Sequence, residues 1–305
     1  MVLINPNSST ATTRMMTAIA RSTLAGRNLH VRGVTAPHGP AMLTDPTSLR
    51  AAVPHVLAAA HQALASGDCA ALIVGAFGDP GVGELRRAWS LGPPAGPTAG
   101  AALSSPTGHD DPALPSGPAG PQPTAGSDGA GWANAPAIVA GAVRVPRIGL
   151  AVPQPTAGSD GAGWACAPAV VPGAVPVVGI GEAALAEAAA GGRRFGVATT
   201  TPHLEGSIAA HVERLGLAAS YTGARFTSGA PARLAARPEA LLAALAEAVR
   251  ACVVRDGAEA VVIGGGPLGD AATALQARFT VPVIAPVPAA CRLVATLLTR
   301  AAPEG

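Results

Sequence analysis

Residues 68–79 read DCAALIVGAFGD and residues 256–270 read DGAEAVVIGGGPLGD. Each opens on an acidic lead-in, runs through a short apolar stretch, and breaks at a glycine-rich turn that ends in aspartate. A buried strand leaving into a turn has this outline. Its recurrence in the two halves of the chain predicts two related units.

Working outward, short apolar runs precede and follow both segments. They are VLIN (2–5), VRGV (31–34), AALIVGAF (70–77) and VPVVGI (175–180) in the first half. The second half has RFGVATT (194–200), SYTGARF (220–226), AEAVVIGG (258–265) and VPVIAPV (281–287). Helix-length stretches such as 10–24 and 49–65 separate them, and PVVGIGEAALAEA (176–188) parallels PVIAPVPAACRLVA (282–295). Strand alternating with helix predicts an α/β fold of two pseudo-symmetric lobes, each a short parallel sheet flanked by helices. In such sheets ligands gather at the carboxyl ends of the strands, so the loops there are where chemistry is expected.

Residues 90–175 interrupt this rhythm. They are rich in Gly and Pro and nearly uncharged, and PQPTAGSDGAGWANAPAIVAGAV (121–143) recurs as PQPTAGSDGAGWACAPAVVPGAV (153–175). So many breakers do not sustain regular elements. The expected organisation is one lobe from 1–89 with 176–190, an insert at 90–175 carrying Trp132 and Trp164, and a second lobe from 191–305.

Composition narrows the function classes. The 305 residues carry a net charge of +2, and all 20 basic residues are Arg, scattered rather than striped. This argues against a nucleic-acid surface, and the missing Lys excludes a P-loop. The start MVLINPNSS has no signal-peptide pattern and no 18-residue apolar run follows, so a cytoplasmic protein without membrane contact is expected. The cysteines Cys69, Cys166, Cys252 and Cys291 have no paired spacing, which argues against a metal knuckle and for buried thiols.

Four strand-end loops hold the candidate groups. In Asn5-Pro6-Asn7-Ser8-Ser9-Thr10 the amides, hydroxyls and helix-start N–H groups read equally as a carboxylate cradle or an N-cap. Asp79-Pro80 has the form of an N-cap with proline at the first helical position. Thr199-Thr200-Thr201-Pro202-His203 offers hydroxyls and a titratable imidazole. Gly264-Gly265-Gly266 lets a ligand approach the backbone closely.

Six collinear segments, INPNSS (4–9), GAFGDPG (75–81), PVVGIGEAA (176–184), FGVATT (195–200), DGAEAVVIGG (256–265) and PVIAPV (282–287), resemble the aspartate/glutamate racemase superfamily, most closely its hydantoin racemase branch. The resemblance implies a cofactor-independent, metal-free isomerase in which two lobes each supply a cysteine to an acidic α-carbon. One thiolate takes the proton and the other thiol returns one on the opposite face. The family's first cysteine falls on Ala76 and its second on Gly265, so the two-thiol mechanism does not carry over. What is implied for this chain is a substrate cradle of Asn7, Ser8, Phe77, Gly78, Thr199, Thr200, Gly265 and Gly266. Asp79 and His203 are left as candidate acid/base groups, with Asp270 behind them.

Two functions follow as expectations. One is a racemase or related isomerase acting on a small carboxylate or cyclic ureide. The other is a catalytically silent homologue that binds such a ligand. Assembly as a homo-oligomer stays open.

Overall fold

The computed structural model describes residues 1–90, 150–151, 169–170 and 175–301. The tryptophans at 132 and 164 and nearly all of the duplicated sequence lie outside the described residues.

Two four-stranded parallel sheets carry the fold. The first joins β1 (Val2–Asn5), β2 (Arg32–Thr35), β3 (Leu72–Val74) and β6 (Val177–Gly179) in the order β2-β1-β3-β6. Between β3 and β6 in sequence, β4 (Leu150–Ala151) and β5 (Ala169–Val170) form a separate antiparallel ladder. The second sheet joins β7 (Phe195–Thr199), β8 (Tyr221–Phe226), β9 (Ala260–Gly264) and β10 (Val283–Ile284) in the order β10-β9-β7-β8. Each sheet therefore repeats one order, its second strand on the outside, then first, third and fourth. The expected α/β architecture of two related sheets is present.

The strands are shorter than the apolar runs that announce them. AALIVGAF supplies only Leu72–Val74 to the ladder, because Gly75 to Phe77 already form the exit turn. VPVIAPV supplies Val283–Ile284, because Pro286 starts the next helix.

Helices connect the parallel strands, as such pairing requires. They are α1 (Thr10–Thr23), α2 (Pro46–Ala65), α3 (Val82–Ser90) and α4 (Ile180–Ala189) around the first sheet, then α5 (Glu205–Arg214), α6 (Pro231–Ala235), α7 (Pro238–Val254), α8 (Gly269–Gln276) and α9 (Pro286–Ala301). Helix α1 starts because the Ser9 side chain accepts from the Thr12 N–H, and its buried face is Thr13, Met16, Thr17 and Ala20 at helical spacing. Helix α2 starts with a reciprocal cap between Asp45 and Ser48 followed by Pro46.

Alternation along the strands splits the core in three. Leu3, Ile73 and Val178 from one sheet and Phe195, Val197 and Val262 from the other belong to one central cluster with α1, α4 and α9. The opposite faces, Val2, Ile4 and Leu72 in one sheet and Ala198, Val261 and Ile263 in the other, form two outer clusters under α2–α3 and α7–α8. The central helices are alanine-rich where they meet. Ala183, Ala184 and Ala188 of α4 and Ala289 and Ala290 of α9 are all buried there. Arg292 of α9 closes the contact by donating to both carboxylate oxygens of Glu187 on α4, at 3.0 and 2.6 Å. Among the described residues no helix is long and apolar enough to cross a membrane.

Candidate functional site

In each sheet the connections leave in opposite directions from the first and third strands, and the crevice between them is where ligands of open α/β sheets bind. Here these strands are β1 and β3 in one sheet, β7 and β9 in the other. Their four exit loops face one cavity of about 460 Å³. Asn7 comes from the first loop, Gly75, Ala76 and Phe77 from the second, Thr200 and Thr201 from the third, and Gly264 to Gly266 from the fourth. The floor is a meeting of two glycine turns. A Cβ on Gly266 would stand 3.0 Å from the Gly75 carbonyl and 2.5 Å from Met16 Sδ, so only glycine lets the two turns touch.

Local hydrogen bonding sets what each polar group offers. The buried Asn5 amide donates to Asn7 Oδ1 at 2.8 Å, and the Ser9 N–H donates to the same oxygen at 2.9 Å. With its acceptor filled, Asn7 has N–H donors left for the cavity. Thr199 is buried behind the wall, its hydroxyl donating to the Gly264 carbonyl at 2.6 Å and stitching the ends of β7 and β9 together. Thr200 is the neighbour that lines the cavity, and its hydroxyl has no hydrogen-bond partner among the described residues.

Of the cradle residues expected from sequence, Asn7, Phe77, Thr200, Gly265 and Gly266 converge on the cavity. Ser8, Gly78 and Thr199 do not line it, and neither does either candidate acid/base group, Asp79 or His203. His203 is exposed in the turn Pro202–Leu204.

Asp79 does not cap the helix that follows it, which corrects the Asp-Pro expectation. Its backbone is left-handed at φ 52°, and its carboxylate crosses to another helix. Oδ1 accepts from the Gly181 N–H at 2.8 Å and Oδ2 from the Glu182 N–H at 2.6 Å, so Asp79 caps the start of α4. His211 Nε2 of α5 lies 3.2 Å from Oδ2. Glu182 in turn pairs with Arg86 of α3, whose guanidinium also donates to the Val177 carbonyl at 2.7 Å. Burial, with Glu182 adding, pushes the Asp79 carboxyl up to about 8. Burial, with Arg214 adding, draws His211 down to about 4. The pair is thus held neutral at pH 7, with one proton between carboxyl and imidazole.

No thiol reaches the cavity among the described residues. Cys69, Cys252 and Cys291 are buried in the cores. Burial pushes Cys252 and Cys291 up to about 12 and raises Cys69, so none is a thiolate at neutral pH. The fourth, Cys166, lies outside the described residues. Among the described residues the one ionisable side chain lining the cavity is Asp270, in the first turn of α8. No cluster of three or more potential metal-ligating side chains occurs among the described residues.

Part of the lining has no counterpart in the sequence motifs. Met15 of α1, Met42, and Pro231, Leu241 and Leu242 of α6 and α7 form an apolar wall. Thr201 also lines the cavity, and only the run of three threonines pointed toward it.

Comparison with known proteins places this geometry. Among solved structures, allantoin racemase from Klebsiella pneumoniae superposes with a TM-score of 0.64 at 19% identity, covering 98% of this chain and 87% of that one. Allantoin racemase from Pseudomonas fluorescens does so with a TM-score of 0.64 at 17% identity, covering 98% and 90%. At these identities the likeness establishes the shared fold. No curated protein matches the sequence. The family model for Asp/Glu/Hydantoin racemase matches residues 1–103 and 169–294, well over half of the sequence, and the chain belongs to that family.

Proposed function

We propose that this protein binds a small cyclic ureide or carboxylate in the cavity between the two sheets and does not racemise it. The observation that carries this is the identity of the two family cysteine positions. Ala76 and Gly265 face the cavity and neither can exchange a proton. Racemisation through a planar carbanion needs a base on one face and an acid on the other. Among the described residues Asp270 supplies a single ionisable group, and the other side chains that line the cavity carry none.

The second position adds a steric argument. Gly265 has φ 156°, a conformation that residues with a side chain rarely adopt, and a Cβ there would stand 3.1 Å from Leu268 Cδ1. A cysteine does not fit this turn without backbone movement. What supports binding is a preformed cavity with the Asn7 donors and the Thr200 hydroxyl on its lining.

The test is optical. Enantiopure 5-isobutylhydantoin is incubated with the protein, and optical rotation is followed beside a protein-free control. The expected result is a raised Tm on ligand addition, since a ligand that binds the folded state stabilises it, with rotation decaying no faster than in the control. Protein-dependent loss of rotation overturns the proposal and restores the racemase reading.

A further inference from the structure

One buried pair of side chains joins two walls of the cavity without lining it. Ala76 and Phe77 line one wall, and the Asp79 N–H donates to the Ala76 carbonyl at 3.0 Å, so Asp79 belongs to the same turn. Thr200, Thr201 and Leu204 line the cavity from the loop that leads into α5, and His211 stands further along that helix. The 3.2 Å contact between Asp79 Oδ2 and His211 Nε2 therefore ties the exit loop of β3 to the helix that follows the exit loop of β7, one from each half of the chain.

Several features are shaped around this contact. Both side chains are buried. Asp79 holds a left-handed backbone at φ 52°, which is uncommon for a residue other than glycine and marks local strain. A Cβ on Gly179 would overlap the Asp79 carboxyl, and one on Gly181 would stand 3.0 Å from Oδ2, so two glycines make the slot that receives it. Capping α4 requires none of the contact with α5.

Resting on the binding function above, we propose that Asp79 and His211 are positioning residues: the pair sets the spacing of the two cavity walls and through it the affinity for ligand.

The charged groups that face the pair are Glu182 of α4, Arg86 of α3, which is paired with Glu182, and Arg214 of α5. The two N–H bonds from α4 and the Arg86 charge favour the carboxylate, but burial and Glu182 outweigh them, and the carboxyl loses its proton only at about 8. A charge in this slot that no cation touches draws in water or leaves the slot. Either movement displaces the turn that carries Ala76 and Phe77. Ligand affinity should therefore fall as pH rises through about 8.

Calorimetric titration of the full chain with 5-isobutylhydantoin at a series of pH values from 7 to 9, corrected for the ring's own ionisation and run beside Asp79→Asn, tests this. The asparagine amide can donate to His211 Nε2 and stays uncharged throughout. At pH 9 about a tenth of the wild-type molecules keep the neutral pair, so wild-type affinity should fall about tenfold over the series and the variant's by less than about threefold. Infrared difference spectra of the ligand-free wild type need no variant: a protonated-carboxyl band should disappear over the same range, with the midpoint of the affinity loss.

A flat wild-type profile, equal falls in the two proteins, a missing band, or midpoints more than about one pH unit apart overturns the inference while leaving the binding function standing. No binding by the wild type at pH 7 overturns both.

Discussion

The two exit turns that share one outline in sequence end in aspartates with opposite lives. Asp79 closes the turn after β3 and is buried, its two oxygens bound to the start of α4 and its edge against His211. Asp270 closes the turn after β9 and stands exposed on the cavity. The first turn is therefore clamped to two neighbouring helices, one from each half of the chain. The second is shaped by its glycines and by the short turn Gly266–Leu268. Pseudo-symmetry in backbone order does not extend to what holds each turn in place.

The largest effect separating the two is expected from removing the buried carboxylate. Asp79→Ala strands two backbone N–H groups and an imidazole in the core and should cost about 3–5 kcal/mol in chemical denaturation. A loss below about 1 kcal/mol would mean that the clamp does not hold this turn.

Next come the two small residues, Ala76 and Gly265, that line the same cavity. Gly265→Cys should cost about 1–3 kcal/mol, because its φ of 156° and the nearby Leu268 both oppose a side chain. Ala76→Cys adds one sulfur to a residue that already has a Cβ and borders open space, so its cost should stay below about 1.5 kcal/mol. Equal costs in the two variants would erase the asymmetry between the turns.

The pH dependence follows from the same clamp. Asp79 is raised from 3.8 to about 8 on folding, and His211 is lowered from 6.5 to about 4. Between about pH 4 and 6.5 the unfolded pair holds one proton on the histidine and the folded pair holds one on the aspartate, so the two contributions to the slope cancel. Above 6.5 the unfolded pair has lost its proton while the folded pair retains one up to about 8, so stability falls as pH rises through that window. The fall should amount to about 1–2 kcal/mol and should vanish in Asp79→Asn. A wild-type protein equally stable at both ends of the window would contradict the neutral pair.

The smallest change is expected at the counterpart. Asp270→Ala touches an exposed side chain and should alter stability by no more than about 0.5 kcal/mol.

Much of this architecture is written locally. Val-, Ile- and Leu-rich runs mark strands buried on both faces, and Ser9 and Asp45 mark helix starts through their own side-chain bonds. Asn7, Phe77, Thr200, Gly265 and Gly266 are legible as cavity-lining positions because each sits just past a recognisable strand. The Asp79 clamp is not. Aspartate before proline reads as a local cap, and nothing near residue 79 announces a partner at 181, 182 or 211. Leu241 and Leu242 likewise read as one more apolar helix face, since sequence spacing does not say that the face overhangs a cavity. The strand ends were overdrawn for a related reason: hydrophobic composition continues through Gly75 to Phe77 after ladder pairing has stopped.

The central packing of α9 has a consequence for biosynthesis. This helix covers inner faces of both sheets, alongside α1 and α4. A nascent chain released from the ribosome without residues 286–301 would leave those faces open to water and to other chains. Completion of the fold therefore waits for residues 286–301 to emerge, and termination ahead of Pro286 should yield insoluble protein rather than a shortened working one.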